Sequence, residues 1–161
     1  MITTLSTDPS NASDNIDFSR PAQELFIWAV LMNHHKLSKI FWREGKEATA
    51  AALFASSIAL SMKRQTMDAE LGRQLETTSK DYAQLAVGVI NTCYGMDDSK
   101  THELLIRDMP HWGCSTCMIL ASQSDNKHFI SQTACQSLLS SIWMGKMSQD
   151  TSLLRVGFIG N

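Results

Sequence analysis

The chain has 161 residues, 43% of them hydrophobic, enough to bury one modest core as a single domain or as one segment of a larger protein. Fourteen basic against sixteen acidic residues leave a formal charge of -2 with no block of basic residues, which argues against nucleic acid as a partner. Four unevenly spaced cysteines without a secretory leader point to free thiols in a reducing compartment, and no apolar run approaches the ~20 residues that cross a bilayer.

Residues 1–18 are rich in Ser, Thr, Asn and Asp, which predicts a disordered polar leader; the sequon Asn11-Ala12-Ser13 falls there and reads as a chance match. Ser19 stands where a helix cap would, with Pro21 in the first turn, and Leu25, Trp28, Ala29 and Met32 follow at i, i+3, i+4, i+7. This spacing predicts a helix from Pro21 to about Asn33 with Trp28 in the core, where truncation to alanine would cost about 3–5 kcal/mol. Leu37, Ile40 and Phe41 predict a second, shorter helix, stopped by Gly45 in a left-handed conformation. Ala48 to Met62 is alanine-rich and apolar on several sides, as in a helix packed among helices.

From Asp68 to Tyr94 the positions Leu71, Leu75, Tyr82, Leu85, Ala86, Val89 and Ile90 keep helical spacing, with Gly88 a weak point and Gly95 a stop. Asp97 or Asp98 can cap the next helix, which carries Leu104, Leu105 and Ile106 and should end at Pro110. Further helices are expected at Thr116 to Gln123, around Phe129 and Ile130, and from Thr133 to Met144, the last with capping-box spacing between Thr133 and Gln136. Sustained period-two alternation and hairpin turn dipeptides do not occur. The expected fold is all-α, stacked short antiparallel helix pairs in the manner of helical repeats, with no sheet.

His111, Cys114 and Cys117 in the stretch HWGCSTC could supply three zinc ligands, with Cys135 or Cys93 as a fourth. The second close ligand pair of a zinc signature is missing, and Cys135 shares a helix face with Leu138, Leu139 and Ile142, where a thiol is usually a small core residue. Cys114 and Cys117 also have redox-pair spacing, without the βαβ surroundings such a pair requires. His34, His35, His102 and His128 share no spacing with carboxylates. An enzyme reading has no residues to rest on, and no cofactor is expected.

The segments ELFIWAVLMNHHKLSKIFWREGKEATAAALFAS (24–56), DYAQLAVGVINTCYGMDD (81–98) and LLIRDMPHWGCSTCMILASQSDNKHFISQTACQSLLSSIWMGKMSQDT (104–151) stand in a definite order. They resemble the cytosolic region of melastatin-type transient receptor potential (TRPM) cation channels, which carries an L-[FM]-[IL]-W-A-[IV]-L-x-N signature, here Leu25 to Asn33. The resemblance implies a cytosolic stack of helix-turn-helix units over 19–145. It further implies a linker and the truncated start of a first membrane helix over 146–161, on the cytoplasmic face of a homotetrameric, calcium-permeable channel whose pore lies elsewhere. It assigns Trp112 to Cys117 to a packed turn, with His111 and Cys114 outside the shared pattern. Partners implied are the other domains and subunits of the channel, with Lys146 and Arg155 as candidate contacts to phosphoinositide headgroups. A stand-alone helical interaction protein is the alternative, and a zinc or thiol module a third.

Overall fold

The computed structural model describes residues 19–156, with side chains over 21–145. Among the described residues there are helices, one 3-10 turn and no strand. The helices are α1 (Ser19–Leu31), α2 (His35–Glu44), α3 (Ala48–Gln65), α4 (Ala69–Met96), α5 (Asp98–Ile106), α6 (Cys117–Gln123), α7 (Lys127–Ile130) and α8 (Thr133–Val156), and the 3-10 turn is Pro110–Trp112. This is the all-α fold expected.

α3 is the axis of the structure. Thr49 to Leu53, Ala55, Ser56 and Ala59 are all buried, because alanine and serine let neighbouring backbones approach on several sides at once. Its partner α4 returns antiparallel after a three-residue connection, Thr66–Asp68, and lays Leu75, Ser79, Tyr82, Ala86 and Ile90 against it at steps of three or four residues. Ser56 and Ser79 meet within this seam, hydroxyl to hydroxyl at 3.0 Å, and Lys63 pairs with Glu76 at 2.6 Å nearer the connection. The Asp68 carboxylate caps α4 by accepting from the Glu70 and Leu71 amides.

α4 runs unbroken for 28 residues. Gly88 lies inside it on the exposed side, and Gly95 does not stop it; the chain leaves the helix at Asp97, whose extended backbone and carboxylate, accepting from the Lys100 amide, begin α5. α5 ends at Arg107, before Pro110, which instead opens the 3-10 turn. Gly45 takes an ordinary extended conformation (φ -81°, ψ 150°), so the expected left-handed stop is not used there. At the start of α8 the capping box gives way to another arrangement: the Gln136 side chain donates to the Ile130 carbonyl at 2.8 Å. The helix then continues past Met144 and through 146 to Val156.

Left-handed residues appear at two other helix ends. After α1, Asn33 (φ 55°) donates to the Val30 carbonyl at 3.0 Å and His34 to the Ala29 carbonyl at 2.8 Å; after α6, Asp125 (φ 51°) and Asn126 repeat the pattern onto Ser122 and Ala121. Both are Schellman caps, built with the two non-glycine residues that tolerate this backbone best. Asn33→Gly is expected to stabilise the chain by up to about 1 kcal/mol, seen as a raised thermal midpoint. An unchanged or lowered midpoint would mean that the Asn33 side chain contributes more than its backbone costs.

The core takes a face of α1 about a quarter-turn from the one expected, and of the expected stripe only Ala29 is buried. Phe26, Ala29 and Val30 are buried, whereas Trp28 is 45% exposed and Leu25 and Met32 are also largely open. Phe26 packs edge-on against Tyr82 (ring centroids 6.0 Å) and Trp112 (6.2 Å). Trp28 instead lies against the His34 ring at 5.6 Å on the outer side. Trp28 therefore cannot carry the 3–5 kcal/mol of a buried tryptophan in this chain.

Candidate functional site

The stretch HWGCSTC forms a tight staple between α5 and α6. Met109 is buried and its amide donates to the Ser115 carbonyl at 3.2 Å, closing the turn across Pro110–Trp112. Gly113 (φ 74°) and Cys114 (φ 51°) then take consecutive left-handed conformations, which reverse the chain within two residues. Thr116 ends the reversal as the N-cap of α6, its hydroxyl accepting from the Ile119 amide at 3.2 Å. The staple drives the Trp112 ring, 5% exposed, against Phe26 and Phe54, the latter at 5.1 Å between ring centroids. From α1, the Gln23 side chain donates to the His111 carbonyl at 2.8 Å.

The three candidate zinc ligands part company here. His111 and Cys114 are exposed, while Cys117 is buried and turned into the core, where Cys135 is also buried. Burial pushes the Cys117 thiol up to about 12, with the neighbouring Cys135 adding to the effect, and burial pushes Cys135 up to about 11. Among the described residues, no group of three or more His, Cys, Asp or Glu side chains is placed to hold a metal ion. Cys117 packs as a small core residue beside Leu120 and Ala121. Accordingly, at pH 8 a thiol reagent should modify Cys114 promptly and leave Cys117 and Cys135 until the chain is unfolded. Mass spectrometry of the labelled peptides reads this directly; early labelling of Cys117 would contradict its burial. The side chains of Lys146 and Arg155 lie outside the described residues.

Two surface features lie beyond the staple itself. The first is a cleft of about 270 Å³ where the staple meets α1 and the α2–α3 corner, walled by Phe41, Trp42, Glu47 and Trp112 among others. Trp42 is fixed there by its indole N–H, which donates to the Ala48 carbonyl at 2.8 Å. The second is a pair of outward apolar faces. α1 presents Leu25, Trp28 and Leu31, with Met32 just past its end, and α8, packed through Ala134, Cys135 and Leu138, goes on to present Leu139, Ile142, Trp143 and Met144. Helices with a second apolar face of this kind are the building units of stacked repeats, in which each unit covers the next.

Residues 2–132 match the TRPM2-like domain family. The chain belongs to the TRPM channel family. It is 32% identical over 136 residues to mouse (Mus musculus) transient receptor potential cation channel subfamily M member 2, covering 84% of the chain and 9% of that protein. It is 36% identical over 136 residues to human (Homo sapiens) subfamily M member 5, covering 84% and 12%, and 33% identical over 140 residues to subfamily M member-like 2 of Nematostella vectensis, covering 84% and 9%. This TRPM chain thus spans about a tenth of the length of the relatives it matches. Among its described residues, no helix is long and apolar enough to cross a membrane.

Proposed function

We propose that this chain is the helical coupling segment of a TRPM-type cation channel, lying on the cytoplasmic face of the membrane just before the first membrane helix, without the pore. The observation that carries the reading is the pair of outward apolar faces, on α1 at one end of the stack and α8 at the other, in a chain whose matched relatives are cation channels many times its length. On this reading the α1 face packs on the preceding helical unit, and α8 leads towards the membrane with Lys146 and Arg155 near phosphoinositide headgroups. The assembly is a homotetramer conducting cations, calcium among them, and the segment relays rearrangements between cytosolic domains and the membrane bundle.

Reading the transcript past the codon for Asn161 tests the placement. Recurrent apolar spans of ~20 residues downstream are expected. A genuine stop with no membrane-coding exon beyond it would sink the channel reading and leave a stand-alone helical scaffold.

A further inference from the structure

We infer that the cleft between the start of α1, the α2–α3 corner and the HWG turn receives an arginine side chain from a protein partner. Its volume of about 270 Å³ falls below the ~300–1,000 Å³ usual for small-molecule sites, which suits one long side chain rather than a cofactor. Four aromatic rings line it: Phe41 and Trp42 are half-buried, and Phe26 and Trp112 are almost wholly buried. The sole acidic residue in the lining is Glu47, whose side chain is 21% exposed. Two polar side-chain groups of the walls already serve the protein itself, Gln23 on the His111 carbonyl and Trp42 on the Ala48 carbonyl. The lining therefore combines aromatic surface with one acidic residue.

Glu47 is weakly held. Arg107 reaches it at 3.6 Å, beyond hydrogen-bond length, from a side chain that is itself 55% exposed, a pairing of small net worth. An incoming arginine matches both features of the cleft. Its methylene stem lies along the rings, and its planar guanidinium stacks on an aromatic face while presenting a two-pronged donor to the carboxylate. Lysine, a strongly hydrated point charge, offers neither the planar stacking nor the two-pronged contact. Arg107 opposes the visitor with like charge, so removing it should tighten binding. This inference stands on the chain's own geometry and does not depend on the channel reading.

The test uses the full 161-residue chain and three neutral-backbone probes: N-acetyl-arginine N-methylamide, its uncharged isostere built on citrulline, and the norleucine counterpart. Indole N–H resonances of Trp42 and Trp112 report occupancy. Arginine should shift both saturably, with citrulline at least about tenfold weaker. Glu47→Gln should erase that preference while the helical circular dichroism stays unchanged, and Arg107→Gln, on the exposed side of the pair, should strengthen arginine binding. Equal binding of citrulline, tighter binding of norleucine, or no shift at either indole would overturn the assignment. Should Glu47→Gln fail to fold, the Arg107→Gln arm decides alone: unchanged or weaker arginine binding there refutes it.

Discussion

Trp112→Ala is expected to lose about 3–5 kcal/mol of stability, while Trp28→Ala in the same chain loses under about 1 kcal/mol. Trp112 is 5% exposed and meets Phe26 and Phe54, so its removal opens a cavity at the junction of α1, α3 and the turn before α6. Trp28 is 45% exposed and leaves no comparable void. Denaturant midpoints of the two variants, with the slope held constant, give the comparison. Equal losses would mean that the outer face of α1 is covered in this chain after all.

Tyr82→Ala is the second large effect, also about 3–5 kcal/mol, because the ring is fully buried and joins three elements. It packs edge-on to Phe26 and to His35 (5.7 Å), and its hydroxyl donates to the buried Ser38 hydroxyl, which passes the chain on to the His35 carbonyl at 3.0 Å. Tyr82→Phe separates the ring from the hydroxyl: Ser38 keeps the His35 carbonyl, so only about 1 kcal/mol should be lost. A phenylalanine variant as damaged as the alanine one would show that the polar link between α2 and α4, rather than the ring, holds the two together.

The long α4 was legible because its apolar residues follow one stripe, and α3 because alanine on every side suits a helix surrounded by others. α1 was misread for a physical reason. It carries two apolar stripes, Leu25–Trp28–Ala29–Met32 and Phe26–Ala29–Val30, which overlap at Ala29, and both fit helical spacing. The choice between them is made by Tyr82 and Trp112, far along the chain, whose rings receive Phe26. Two glycines misled similarly: Gly45 and Gly95, expected as helix stops, use no left-handed backbone, while Asn33, Cys114 and Asp125 do. Tertiary packing and side-chain capping set those positions, and local composition does not record them. In HWGCSTC the packed turn was readable from the residues resembling the TRPM pattern. The cleft beside it was not, because its walls come from three separate segments.

Among the described side chains of α8, the buried ones, Ala134, Cys135 and Leu138, lie at its root. From Leu139 to Gly145 every residue is exposed, yet the helix runs on to Val156. Between Leu138 and Val156 lie about 27 Å of rod at 1.5 Å per residue, so a tilt of about 5° at the root sweeps the far end by roughly 2 Å. The moment arm works in the other direction as well. A sideways force at Val156 arrives at the root as a torque on Ala134, Cys135 and Leu138, which are seated in the core beside Leu105 of α5 and Phe129 of α7.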